Sequence, residues 1–161
     1  MSDPRFQILD TQSLGISALR LGELTKSFHR NLLAEARMRL DSNQPEMTVV
    51  LAQAAAELCT EWAITTLFLA RRDDDLVEPI LDLFQVKDIC NSKVRAIYTA
   101  LSKDQPQNAP FWSELKHHHA RRNSIVHKGA KCGAADAESS VSAVGLYIAH
   151  VEGTISQRQG A

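Results

Sequence analysis

Apolar residues recur at intervals of three and four along most of this chain, which is the spacing of amphipathic helices. The pattern predicts a first long helix over residues 13–40 and a second over residues 46–71, separated by a polar break at residues 41–45. The second segment is apolar around most of its circumference, so we expect it to be the central helix, covered on several sides.

A charged cluster at residues 71–75 separates these two helices from the rest of the chain. Pro79 opens a short helix, and a further helical segment follows through Ile89, Val94, Ile97 and Leu101. After a proline-containing loop, a further helix begins near Pro110 and ends before Gly129, with one stripe made of Trp112, Leu115, His119, Arg122 and Val126. The last helix spans residues 135–157, and no segment alternates like a strand. The sequence predicts an all-α bundle of four long helices plus one short helix.

The length of the chain, 161 residues, predicts a single domain over residues 1–161 with one core. Apolar residues make up 44% and charged residues 23%, which is ordinary for a globular protein. We expect residues 1–12 and 158–161, at the two ends, to be poorly ordered.

The cysteines, Cys59, Cys90 and Cys132, are odd in number and widely spaced, which argues against a disulfide framework and for a reducing compartment. The N-terminus has no apolar signal region, and no apolar run is long enough to span a bilayer. The sequence therefore predicts a cytoplasmic protein without membrane contact.

The basic residues are concentrated in one stretch, although the formal net charge of the chain is only −1. No acidic residue lies between Glu114 and Asp136, whereas this interval contains Lys116, Arg121, Arg122, Lys128 and Lys131. Such a local excess would attract a phosphate backbone in a salt-sensitive way. The alternative is a basic helix face that answers an acidic patch on a partner protein.

Arg122, Asn123 and His127 form the most informative group within that stretch. The arginine fork matches a phosphate, and histidine exchanges a proton near neutral pH, so together they can bind and cleave a phosphodiester. Arg122 and His127, however, lie about 140° apart around an ideal helix. That offset is an obstacle to a site built from one rigid helix.

The run from His117 to His119 resembles a metal site, but consecutive helical residues diverge by about 100° and cannot converge on one ion. We therefore predict no metal site and assign His119 only a helper role beside Arg122. The chain has none of the motifs typical of nucleotide hydrolysis, acyl transfer or zinc proteases, and we predict no cofactor.

Arg122-Asn123, followed by His127-Lys128-Gly129, a short loop and a final helix that opens with Ala, Asp, Ala and Glu, resembles the HEPN superfamily of helical domains from prokaryotic toxins, phage-defence and CRISPR-type effectors. The resemblance covers residues 112–155 most closely, and Gln53-Ala-Ala-Ala-Glu57 resembles the family's second helix. It implies that Arg122 and His127 are the family's Arg-x4–6-His pair and that Asn123 is the polar residue beside the arginine.

The resemblance further implies a metal-independent endoribonuclease that acts at a composite site of a homodimer and leaves a 2′,3′-cyclic phosphate. His127 would transfer the proton, Arg122 would stabilise the phosphorane, and Asn123 would orient His127 or the phosphate. The supporting RNA contacts would come from Arg121, Lys128, Lys131, Lys116 and His119. The implied partners are RNA rather than DNA, a second subunit and, in some members, a nucleotidyltransferase-type antitoxin.

Two other readings stay open at this point. Many HEPN-like domains have lost activity and serve as RNA-binding or partner-binding dimerisation modules. The motif could also be a coincidence in a purely structural helical bundle.

Overall fold

The computed structural model describes residues 18–71, 75, 79–80 and 87–159. Five α-helices lie in these ranges: α1 (Ala18–Asp41), α2 (Pro45–Ala70), α3 (Ser92–Ser102), α4 (Trp112–Lys128) and α5 (Ala134–Gln159). A 3-10 turn, Pro106–Asn108, precedes α4, and the described ranges contain no strand. The predicted all-α class is thereby confirmed.

Some expectations fall partly beyond these ranges. Residues 1–12, 160 and 161 and most of the short helix expected from Pro79 lie outside the described residues. The final helix continues through Gln159, two residues beyond its predicted end. No described helix is both long and apolar enough to cross a membrane.

Helix α2 is central, as its apolar circumference predicted, because it packs against each of the other four helices. Its core positions include four fully buried small side chains, Ala52, Ala55, Cys59 and Ala63, which let the neighbouring helices approach closely. Where α2 meets α5, the Tyr147 hydroxyl lies 2.7 Å from Thr60 Oγ1. Thr60 Oγ1 itself donates to a helix carbonyl, so the tyrosine is the donor in this pair.

Helices α1 and α5 are joined by an ionic contact between residues far apart in sequence. Arg30 donates to both carboxylate oxygens of Glu152, at 2.7 and 2.6 Å, and the buried His29 ring lies 3.0 Å from the same carboxylate. Burial disfavours the charge on Glu152, but the hydrogen bonds from Arg30 and His29 outweigh it and lower the pKa of this carboxyl group. The contact fixes the first helix against the last.

Local sequence signals explain where α3 begins and where α4 ends. Asn91 Oδ1 accepts hydrogen bonds from Lys93 N and Val94 N, which is the side-chain cap that starts α3. Gly129 ends α4 in the left-handed conformation, with φ of 62°, which glycine adopts without a steric penalty.

The predicted inward stripe of α4 is wrong in one part. Val126 is 49% exposed, whereas Leu115 and His118 are the buried residues of this helix. The core therefore lies under the face shared by Leu115 and His118, and the C-terminal half of α4 extends past it. Because α4 is rotated about its axis relative to the prediction, His119 and Arg122 lie at the edge of the core rather than within it.

Candidate functional site

An open pocket of about 510 Å³ lies where α4 meets α2 and the turn before α3. The residues that line it are Glu57, Asp88, Cys90, Asn91, Lys116, His119, Arg122, Asn123 and His127. The structure thus brings together all three predicted catalytic residues and two of the predicted RNA contacts. The offset of five residues does not separate Arg122 from His127, because both line this one pocket.

A continuous chain of polar contacts crosses the α4 wall of the pocket. Arg122 Nη1 donates to Asn123 Oδ1 at 3.1 Å, and Asn123 Nδ2 donates to His119 Nε2 at 2.9 Å. The other ring nitrogen of His119, Nδ1, contacts the Asp88 carboxylate. Because Asn123 occupies Nε2 as a donor, the ring proton belongs on Nδ1, facing Asp88. Asn123 therefore orients Arg122 and His119, not His127.

Arg122 has unused hydrogen-bonding capacity at this wall. Its Nε atom is buried and has no hydrogen-bond partner among the residues that the structure describes. Leaving a charged donor buried and unpaired costs free energy. A phosphate that enters the pocket, which Arg122 lines, would form charge-assisted hydrogen bonds with other N–H groups of this guanidinium.

His127 occupies the last turn of α4 and is exposed. The left-handed Gly129 closes the helix two residues later, so the position of the imidazole at the pocket rim depends on that termination. An exposed imidazole at a rim is accessible to a polymer that lies across the pocket.

The two carboxylates of the pocket, Glu57 and Asp88, were not predicted from the sequence. Gln53 joins them, since its Nε2 lies 2.8 Å from Glu57 Oε1 and 3.0 Å from Asp88 Oδ2. Asp88 is only 5% exposed, and its Oδ1 accepts from the backbone N–H of Cys90 at 2.7 Å. The signal that was available is the Gln53/Glu57 pair, four residues apart and thus on one face of an otherwise apolar helix.

Three predicted RNA contacts lie elsewhere. Arg121 binds Ser140 Oγ at 2.6 Å and Asp136 at 3.2 Å, and it also lies 3.7 Å from Glu114. Lys131 Nζ is 3.8 Å from Glu46, and Lys128 is exposed and is not part of the pocket wall. The acid-free stretch of sequence is therefore partly neutralised in space by acids from other segments.

The three consecutive histidines face three different surroundings. His117 is exposed beside Glu114, His118 is fully buried, and only His119 reaches the pocket. Their divergence agrees with the helical geometry and rules out a metal site made of this run alone.

Cys90 adds a thiol to the pocket. Burial, together with the Asp88 carboxylate, raises the pKa of this thiol to about 12, so it is uncharged near neutral pH and a poor nucleophile. Among the described residues, Asp88, Cys90 and His119 form the single group whose ligand atoms are close enough together to hold a metal ion.

Comparison of the chain with protein-family models, with curated proteins and with solved structures gives no match in any of the three. The pocket, and the motif that the sequence places there, are therefore the features that point to a function.

Proposed function

We propose that the pocket is the active site of a metal-independent endoribonuclease of the HEPN type, acting as a toxin or phage-defence effector. The observation that carries the proposal is that Arg122, Asn123 and His127, which lie up to five positions apart along α4, line one pocket. The RNA phosphate would lie beside the Arg122 guanidinium, and His127 would face the scissile ribose from the rim.

RNA cleavage in which the 2′-OH, rather than a water molecule, attacks the phosphorus requires two proton transfers. One group removes the proton of the 2′-OH, which attacks the phosphorus, and another group protonates the departing 5′-oxygen, leaving a 2′,3′-cyclic phosphate. His127 is the histidine of the pocket that would transfer one of these protons. The Nε2 atom of His119 accepts from Asn123 and its Nδ1 faces Asp88, so this ring would position Asn123 and Arg122 rather than transfer a proton.

Arg122 would stabilise the extra negative charge on the phosphorane, and Lys116 would contact the neighbouring phosphate. Asn123 would hold the guanidinium in place through its 3.1 Å hydrogen bond. We further propose that the enzyme is a homodimer, in which the exposed His127 of each subunit lies near the pocket of its partner.

A second candidate, an inactive module that binds RNA or a protein partner, is favoured by the charge of the same pocket. Glu57 and Asp88 offset Lys116 and Arg122, so the pocket attracts phosphate less strongly than the sequence implied. A protein partner that presents both acidic and basic side chains would complement this mixed charge better than an RNA backbone would.

Incubation of the purified protein with a pool of cellular RNA in EDTA tests the proposal. We expect cleavage products that end in 2′,3′-cyclic phosphate from the wild type, and at least about 100-fold slower cleavage by Arg122→Ala and by His127→Ala. His117→Ala, an exposed histidine of the same helix outside the pocket, is the matched control and retains full activity. RNA binding without cleavage by the wild type would support the inactive module instead.

A further inference from the structure

Asp88, Cys90 and His119 bring three different kinds of metal-ligating atom to one side of the pocket. A carboxylate oxygen, the thiol sulfur and a ring nitrogen all lie within 4.8 Å of one another. In a tetrahedral zinc site the ligand atoms are about 3.5 Å apart, so atoms at the 4.8 Å limit would approach by about 1.3 Å, and the His119 and Asp88 atoms, which are already in contact, would separate.

We propose that Asp88, Cys90 and His119 form a Zn²⁺-binding site whose fourth position opens into the pocket. A mixed set of thiolate, imidazole and carboxylate suits zinc, whereas magnesium and calcium prefer oxygen ligands alone. Three protein ligands with an open fourth position are the arrangement of an accessible zinc site rather than of a closed structural one.

The surrounding contacts hold the ligands in place before a metal arrives. The backbone N–H of Asn91 donates to Asp88 O at 2.9 Å, and that of Cys90 donates to Asp88 Oδ1, so Asp88 and Cys90 lie on one tight turn. Gln53 Nε2 donates to Asp88 Oδ2 at 3.0 Å from the central helix. Such outer contacts fix the direction of a ligand and contribute to metal affinity.

His119 reaches the same point from the opposite wall, on α4, and its Nδ1 already contacts Asp88. When Nδ1 binds the metal, the ring proton moves to Nε2, and the Asn123 carboxamide turns over so that its oxygen accepts this proton. The same turn places an amide donor where Arg122 Nη1 had its acceptor, so zinc binding would also break the Arg122–Asn123 hydrogen bond.

Metal titration of the chelator-treated protein, in the absence of RNA, tests the site. We expect one Zn²⁺ per chain by calorimetry, and in Co²⁺ the wild type should show the charge-transfer absorption of a thiolate bound to cobalt. Cys90→Ser and His119→Gln should each weaken zinc binding by more than about 10-fold, because even the loss of a contact that only orients a ligand weakens metal affinity by about 10-fold or more. Cys90→Ser should also abolish the cobalt-thiolate absorption.

Cys132→Ser is the matched control, because Cys132 is a half-buried thiol outside the pocket, whose Sγ bonds Gly133 O at 3.4 Å. It should bind zinc as the wild type does. A wild type that retains no zinc, or a cobalt spectrum without the thiolate band, would overturn the proposal. Because no RNA is present, neither result depends on the proposed cleavage.

Discussion

The buried imidazole of His118 provides a stability test that can be worked out quantitatively. The side chain is fully buried in α4, and neither ring nitrogen has a hydrogen-bond partner within the described part of the chain. Burial, assisted by the positive charges of Arg121 and Arg122 and opposed by Asp88, lowers the pKa of His118 to about 4. The ring is therefore neutral in the folded protein near pH 7.

The effect on stability appears only in acid. At neutral pH, the ring carries no charge in either state. Below the ordinary histidine pKa of 6.5, the unfolded chain binds a proton that the folded chain refuses, so stability falls with pH until about pH 4. The shift corresponds to a total loss of about 3 kcal/mol, of which about 2 kcal/mol has occurred by pH 5.

His118→Leu removes both the titration and the unpaired nitrogens. Because an unsatisfied buried polar atom costs about 1–3 kcal/mol, we expect the variant to be about 1–2 kcal/mol more stable than the wild type at pH 7.5. Between pH 7.5 and 5 this advantage should grow by about 2 kcal/mol. Urea unfolding in EDTA at several pH values measures both quantities. Glu152 titrates mainly below this interval and is common to both proteins.

His117→Leu is the control, because His117 is 67% exposed on the same helix. It should change the free energy of unfolding little and keep the acid-dependent loss of the wild type. A His118→Leu variant that is less stable at pH 7.5, with an unchanged pH profile, would refute the reasoning and show that the ring has a partner.

Two further pairs of variants test the packing and the helix end beside the pocket by urea unfolding. Tyr147→Phe removes only the donor of its 2.7 Å hydrogen bond and should cost about 1 kcal/mol, whereas Thr60→Val leaves the buried hydroxyl unpaired and should cost more, up to about 3 kcal/mol. Equal losses would contradict the assigned donor. Gly129→Ala should cost about 1 kcal/mol because of its φ of 62°, although a Cβ there would meet no atom. The same substitution at Gly153, in the interior of α5 and also in open space, should stabilise by about 0.5–1 kcal/mol, so a stabilising Gly129→Ala would contradict the left-handed helix end.

The helical class and most helix ends could be predicted because they depend on local signals. Apolar spacing marked α1, α2 and α5, and Gly129 marked the end of α4. The inward face of α4 could not be predicted as reliably. The predicted face of α4 passes through Leu115 and His119, whereas the buried face passes through Leu115 and His118, one residue away. The packing of α4 against α2 and α5 decides between the two faces, and the sequence does not show this packing.

The pocket was predictable in its α4 wall and not in the opposite wall. Arg122, Asn123 and His127 are close in sequence, so their spacing alone identified them. Glu57 and Asp88 come from segments more than 30 residues earlier, and their approach to α4 is a consequence of tertiary packing. The same packing neutralises Arg121 with Asp136, which a count of charges along the chain could not reveal.

The central claim is that Arg122 and His127 act together on RNA in one pocket, and a double-variant cycle tests it most directly. Cleavage rates of the wild type, Arg122→Ala, His127→Ala and the double variant are measured in EDTA on one RNA. We expect each single variant to lose at least about 100-fold and the double variant to lose little more than the worse single variant, because groups of one site act as a unit. Single variants that cleave as fast as the wild type, or losses that multiply in the double variant, would contradict the claim.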